Sequence, residues 1–378
     1  MDLESKQLIN ENKKSRKIIE PLKNNNNSNI KKLPNIFSSI IGYINIFIVP
    51  IVILIIIIKK MKMNFSYFKF KKEKIKIPKD LSYYQNKQNN FCENIGKLYD
   101  KEIENNLMLF NISLNGTNFD MFIFKNNDYM SEQIQLKKSY EKVGTLNMLN
   151  ALQYYADKHD YENDDIMIID MGANIGWYTI FFGLFKYSVL AFEPYPENYY
   201  VLKKNYCRNN RDFFGPESTI TIVNYALYSK ETRCGYYQDI KSSRKDMVIC
   251  DFSLEDNFGI DYMRMALINS TRLKDFIPLI NHKRITLLRI DMEFEGEKAI
   301  RSGKDLITLY HVPYVFIEFN KKMFSIHETK EEDFLKFFVN NGYQISLKGF
   351  LANDFISIED LMKKKFKRIN LYLVYIEQ

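Results

Sequence analysis

The stretch on which the reading turns is Ile166-Met-Ile-Ile-Asp170-Met-Gly172-Ala-Asn174-Ile-Gly176-Trp-Tyr-Thr-Ile180. A short Ile-rich run ends on an acid, and an apolar-aromatic run begins at Trp177. The first run predicts a strand buried on both faces, and Trp177 to Leu184 the start of a packed helix. Gly172 and Gly176 fall in the turn between them, where a missing Cβ lets the backbone pass close to a ligand. The pattern is Asp-x-Gly-x-Asn-x-Gly, with Asn174 where the dinucleotide fingerprint Gly-x-Gly-x-x-Gly has its middle glycine. A second apolar run, Ser188 to Phe192, ends on Glu193. That is roughly twenty residues past the first glycine, where doubly wound folds place a ribose-binding acid.

Outward from this stretch, apolar runs and helical periods alternate. Strands are predicted at 166–170, 188–193, 220–225, 286–291, 314–319, 343–347 and 371–376. Helices are predicted at 177–185, 197–208, 296–309 and 331–341. Such alternation means an α/β fold with a mostly parallel seven-stranded sheet and helices on both faces. Upstream, Leu107–Leu114 and Thr117–Phe124 alternate around Asn115-Gly116, a strong hairpin signal, and Glu132–Ala156 has helical spacing. The segment 235–252 shows no clear period and is expected to be an insertion beside the sheet.

Two acids at strand ends and a loose glycine turn suit a nucleoside without a pyrophosphate, of which S-adenosylmethionine is the common one. Asp170-Met-Gly-Ala-Asn-Ile-Gly-Trp-Tyr-Thr179, Ala191-Phe-Glu193-Pro-Tyr-Pro-Glu-Asn198 and Asn224-Tyr-Ala226-Leu227 together resemble the FkbM-type class I S-adenosylmethionine-dependent methyltransferases. The likeness continues through Leu288-Arg-Ile-Asp291-Met-Glu-Phe-Glu-Gly296-Glu and Val315-Phe-Ile-Glu318, covering about 140 to 376. The resemblance implies a Rossmann-like fold ending in an antiparallel edge hairpin, and methyl transfer to a hydroxyl, often on a sugar or polyketide. It also implies a cofactor-capping role for Glu141, for which a solvated helix-end acid is the alternative.

The candidate site residues follow from their places at strand ends. Gly172 and Gly176 are expected along the methionine part of the cofactor, Asp170 at its amine, and Asn174 orienting the turn. A carboxylate accepts from both hydroxyls of a ribose, which makes Glu193 the ribose ligand. Asn224 is read at the adenine edge or as a turn former, with Ala226 and Leu227 as an apolar floor. Asp291 is the first candidate for a general base that takes the acceptor hydroxyl's proton, and Glu293 the second. The family pattern is roughly Asp-x-Glu-Gly-x-Glu, so the shifted Gly296 leaves open whether Glu293 or Glu295 takes its place. These carboxylates can alternatively hold Mg²⁺, although no metal site is assigned. Glu318 either faces the substrate or is a solvated loop acid.

The chain has 378 residues and a net charge of +8. The basic excess lies before residue 80, which argues against nucleic-acid binding by the folded part. Residues 1–34 read as a disordered basic segment and 36–58 as an uncharged apolar run. At ~1.5 Å per residue that run crosses a hydrocarbon core of about 30 Å. It is therefore expected to be a single-pass anchor, followed by a stem and lead-in helix (59–100), the hairpin and helix (101–160) and the catalytic domain (161–378). The lysines from Lys59 to Lys74 favour a cytoplasmic domain by the positive-inside rule. The acceptor sequences Asn111-Ile-Ser, Asn115-Gly-Thr and Asn269-Ser-Thr, and the resemblance to anchored enzymes of the Golgi or endoplasmic reticulum, favour a lumenal one. Cys92, Cys207, Cys234 and Cys250 lack the Cys-x-x-Cys spacing of a zinc site. Buried thiols are expected, with disulfides the alternative in an oxidising lumen.

The function expected is that of a membrane-anchored S-adenosylmethionine-dependent O-methyltransferase acting on a glycan or other small hydroxylated acceptor. One alternative is an NAD-dependent Rossmann oxidoreductase, which Asn174 disfavours. The other is a catalytically inactive anchored binding module, which the irregular motif at Asp291 keeps open.

Overall fold

The computed structural model describes residues 78, 80–95, 101–126, 128–210, 220–239, 247–251, 262–280, 283–292, 296–320 and 330–377. The apolar run 36–58, Glu293 and Glu295 lie outside these residues. No helix among the described residues is long and apolar enough to cross a membrane.

The main sheet is built on β3 (Ile166–Met171), β4 (Ser188–Phe192), β5 (Ile220–Val223), β10 (Arg284–Ile290), β11 (Tyr314–Asn320), β12 (Tyr343–Ser346), β13 (Phe355–Ile356) and β14 (Arg368–Tyr375). Their order is β13-β12-β14-β11-β10-β3-β4-β5. From β5 to β11 neighbours are parallel, whereas β14 inserts antiparallel between β11 and β12. The sheet thus has eight strands rather than seven, because the two-residue β13 adds an edge. The expected strands at 343–347 and 371–376 form the antiparallel edge.

β3, β4 and β5 are buried at every residue, as uninterrupted apolar runs require when both faces are covered. One face carries Ile168, Val189, Leu287 and Phe316. It packs against a layer containing α4 (Lys142–His159), α5 (Trp177–Leu184) and α6 (Pro196–Asn210). The other face carries Ile169, Leu190, Leu288 and Ile317 and packs against α7 (Gly296–Ser302), α8 (Asp305–Thr308), α9 (Glu331–Val339) and α10 (Ile358–Lys363). The helix expected over 296–309 is broken between α7 and α8 at Gly303, where a Cβ would press on the Leu273 side chain.

The hairpin of β1 (Leu107–Leu114) and β2 (Thr117–Phe124) has the expected bounds. Asn115 and Gly116 both have positive φ, 52° and 75°, as the tight turn between two right-twisted strands demands. The helical period of 132–156 is split into α3 (Tyr129–Lys137) and α4 by Lys138 and Glu141, both left-handed. A short α2 (Lys101–Asn105) precedes the hairpin.

Side-chain amides from helices serve two strand edges. On α1 (Ser82–Asn94), Gln88 donates to the Ile220 carbonyl at 3.1 Å and accepts from the Ile222 N–H at 3.1 Å, covering the edge of β5. On α6, Asn205 accepts from the Phe122 N–H at 2.6 Å and donates to the Phe122 carbonyl at 3.0 Å, doing the same for β2.

The stretch expected as an insertion beside the main sheet takes part in a second, smaller sheet. β6 (Ala226–Leu227), β7 (Arg233–Asp239), β8 (Met247–Cys250) and β9 (Tyr262–Thr271) are ordered β6-β9-β7-β8. The strand expected at 220–225 ends at Val223, and after two residues the chain enters this other sheet at β6.

The four cysteines are paired, which corrects the expectation of thiols. Cys92–Cys207 joins α1 to α6 with Cα atoms 5.3 Å apart, and Cys234–Cys250 links paired residues of β7 and β8 with Cα atoms 4.0 Å apart. The first closes a span of 115 residues, for which loss of denatured-chain entropy is worth on the order of 4–5 kcal/mol. Cys92→Ser is expected to lower the unfolding free energy by about 2–5 kcal/mol in a urea titration. An unchanged midpoint would mean the lead-in helix is not fastened through this bond.

Candidate active site

The carboxyl ends of β3, β4 and β10 are stapled together by backbone bonds. The Gly172 and Ala173 N–H groups donate to the Phe192 carbonyl at 3.0 and 2.9 Å, and the Asp291 N–H donates to the Met171 carbonyl at 3.0 Å. Gly172 is left-handed (φ 88°), and a Cβ there would run into the Asp291 carbonyl oxygen. Gly176 (φ 96°) is pressed in the same way against Leu202 of α6. Both glycines are thus required by the protein's own packing, although Gly172 also lines the cavity above the strand ends.

That cavity has a volume of about 400 Å³. Its floor is Gly172, Asn174, Glu193, Ala226, Leu227 and Asp291; β7 and β8 contribute Tyr236, Gln238 and Met247. The segment 124–140 contributes Asp128, Tyr129 and Tyr140 on another side, and Arg368 reaches in from β14. Tyr195 and Tyr236 stack with ring centroids 3.9 Å apart, which binds the small sheet to the loop after β4.

Glu193 is buried, and its two oxygens accept from the Asn174 N–H at 2.7 Å and the Tyr195 N–H at 2.8 Å. Burial pushes its carboxyl up to about 7. Asn174 is left-handed (φ 53°), and its side chain accepts from the Ile175 N–H at 2.7 Å, so it orients the turn as expected of Asn there.

Asp170 does not line the cavity. It is wholly buried beneath it, accepting from Arg289 Nη1 at 2.8 Å and from the Thr179 hydroxyl at 2.7 Å. It is thus held by two protein partners beneath the strand ends, away from the cavity wall where a cofactor amine was expected beside it. Arg289 is itself wholly buried. Its Nη1 also donates to the Gly172 carbonyl at 3.0 Å, and its Nη2 donates to Asp291. The guanidinium lies 4.1 Å from the Tyr178 ring centroid, and the Tyr178 hydroxyl donates to Glu141 at 2.7 Å. Glu141 therefore belongs to this buried network and is not among the cavity-lining residues.

Asn224 is not a lining residue either; its amide donates to the Glu193 and Pro194 carbonyls at 2.8 and 3.0 Å, holding the loop after β4. The turn-forming role is the one the structure displays. Glu318 is buried and ion-paired with Arg368, so it is no solvated loop acid. Among the described residues no cluster of acids, histidines or cysteines is arranged to hold a metal.

Arg289 and Tyr140 were missed from sequence. The signal for Arg289 was a cation inside the apolar run Leu287-Leu-Arg-Ile290, which cannot stay buried without a partner. Tyr140 is buried at the cavity wall, and burial together with the Asp291 charge holds its hydroxyl well above the usual phenol range. It stays a hydrogen-bond donor at any physiological pH.

Residues 170–345 match the sequence profile of the methyltransferase FkbM domain. The chain carries an FkbM-type methyltransferase domain. It is an S-adenosylmethionine-dependent methyltransferase.

Solved structures resemble the methyltransferase at low identity. Magnesium protoporphyrin IX methyltransferase from Synechocystis PCC 6803, with bound S-adenosylmethionine, is 10% identical, with a TM-score of 0.33 and coverage of 66% of this chain and 86% of that one. TYW2 from M. jannaschii, in complex with S-adenosylmethionine, is 11% identical, with a TM-score of 0.31 and coverage of 71% and 84%. No curated protein sequence matches the chain significantly.

Removing Arg289 strands Asp170 in an apolar layer. Arg289→Met is expected to cost on the order of 3–5 kcal/mol in chemical denaturation. A loss under 1 kcal/mol would show that the buried pair contributes little to the fold.

Proposed function

We propose that this methyltransferase transfers the methyl group to a hydroxyl oxygen of a glycan or other small hydroxylated acceptor. The observation that carries the reading is the position of Asp291, one face on the cavity and the other held by Arg289. When bound, S-adenosylmethionine supplies an electrophilic methyl group. The donor set fits that cofactor: a buried carboxylate with paired backbone N–H groups at the end of β4, an apolar floor, and a glycine turn at the end of β3.

Glu193 would accept from the ribose hydroxyls, each of its oxygens retaining acceptor capacity beyond its backbone bond. Ala226 and Leu227 would support the adenine, and the 172–174 turn the methionine part. Asp291 would take the proton of the acceptor hydroxyl, a role typically worth about 10²- to 10⁴-fold in rate. Arg289 fixes the Asp291 carboxylate from below, and Tyr140 offers a hydroxyl donor beside it. Amide, acid and phenol side chains on the remaining walls, among them Asn106, Asn126, Asp128 and Gln238, suit an acceptor rich in hydroxyls.

The enzyme is further proposed to be anchored through residues 36–58 with this domain in an oxidising lumen. Two disulfides support that side, since such bonds persist where glutathione does not reduce them. The same observation outweighs the lysines after the apolar run, which favour the cytoplasm.

Asp291→Asn is expected to lower kcat about 100-fold or more while leaving S-adenosylhomocysteine affinity within a few-fold, measured by methyl-transfer kinetics on a panel of glycans and by calorimetry. Unchanged turnover would remove Asp291 as base. The Glu193 carboxyl accepts two ribose hydrogen bonds only when ionised, and it is protonated below about pH 7. Affinity for S-adenosylhomocysteine should therefore rise by roughly tenfold from pH 6 to pH 8. Glu193→Gln should bind weakly with no such rise, and a wild-type profile flat across this range would exclude Glu193 from the ribose.

A further inference from the structure

We infer that Asn115 is an N-linked glycosylation site, carrying its glycan at the tip of the β1–β2 hairpin. The inference rests on the lumenal reading of the domain and not on the methyl-transfer reading. Three acceptor sequences fall among the described residues, Asn111-Ile-Ser, Asn115-Gly-Thr and Asn269-Ser-Thr, and the fold treats them differently.

Asn111 lies within β1, and its side-chain amide donates to Asp120 at 2.9 Å. The same Asp120 is ion-paired with Arg208 of α6, so a sugar on that nitrogen would enter an occupied network. Asn269 is exposed but sits inside β9, a strand flanked on both sides by β6 and β7, with Ser270 and Thr271 wholly buried. Asn115 is exposed and occupies the first central position of a two-residue turn. A Cβ added at the adjacent Gly116 would meet no atom within 4 Å, so the space beside the tip is open. A polar residue of left-handed φ on a hairpin tip leaves the sheet register intact whatever bulk its side chain carries. The disulfides that carry the lumenal reading bear on this site as well, because an oxidising lumen is also where such acceptor sequences meet a transferase.

The co-reactant is an oligosaccharide linked through its anomeric carbon to a lipid pyrophosphate. The carbon–oxygen bond to the pyrophosphate breaks and the electron pair leaves on that oxygen. A carbon–nitrogen bond forms to Asn115 Nδ2, which gives up one proton.

The test uses the full chain expressed in a eukaryotic cell and peptide mapping before and after treatment with peptide N-glycosidase. The expected result is conversion of Asn115 to the acid on treatment, with the intact protein losing the mass of a glycan. Asn115→Gln and Thr117→Ala should each abolish that loss at this position, and Thr117→Ser should retain it. Thr117→Ala leaves the turn residues untouched, so its effect is not one of misfolding. An Asn115 peptide recovered unmodified from folded wild-type protein would overturn the inference, as would modification confined to Asn111 or Asn269.

Discussion

One buried cation holds together the two strand ends on which the site depends. Arg289 on β10 faces Asp170 on β3 directly across the parallel ladder and reaches Asp291 just past its own strand. A single guanidinium in its planar fork thereby satisfies a wholly buried carboxylate, the Gly172 carbonyl and a carboxylate on the cavity wall. The energetic logic is asymmetric. Desolvating three charges is costly, and the arrangement is stable only with all of them present. That makes it a poor source of net stability and a strict source of geometry, since any slip of β3 against β10 would part the charges.

The rest of the cavity is built outward from that joint. Gly172 lets the turn after β3 lie against the Asp291 backbone, and the same turn presents the Asn174 N–H to Glu193. Glu193 in turn receives the Tyr195 N–H, and Tyr195 stacks on Tyr236 of the second sheet. A chain of short contacts thus runs from the buried arginine to the wall opposite the strand ends.

The sequence made the main sheet legible because its strands are apolar runs bounded by acids, and burial on both faces leaves no other reading. The hairpin was legible from Asn115-Gly116 alone, since only that turn chemistry satisfies two left-handed residues in succession. What could not be read was anything that depends on register. Asp170 looks like a ligand residue until it is known that Arg289 lies opposite it in the neighbouring strand. Asn224 and Glu141 likewise look available until their partners, two loop carbonyls and the Tyr178 hydroxyl, are in place. The second sheet was hidden for another reason: its strands bury Cys234, Tyr236, Tyr237 and Ile249 without a clean alternation, and a disulfide holds where periodic packing does not.

The two halves of the cavity are held by different means, and that bears on what each can vary. The strand-end half is fixed by ladder hydrogen bonds, glycine contacts and the Arg289 ion pairs, all of which fail together when one element shifts. Such a surface is suited to a ligand whose shape does not change, as a cofactor's does not. The opposite half comes from the small sheet, which meets the loop after β4 through the Tyr195–Tyr236 stack and is tied internally by the Cys234–Cys250 disulfide, and from the segment between β2 and α4, whose helix is capped by Asp128. Residues of the small sheet lie outside the Arg289 network, whereas Tyr140 and Glu141 at the end of the other segment contact Tyr178, on whose ring the guanidinium rests. On the proposed reading, acceptor contacts can therefore vary in the small sheet while the geometry at Asp291 is held by the cost of burying a charge without its partner.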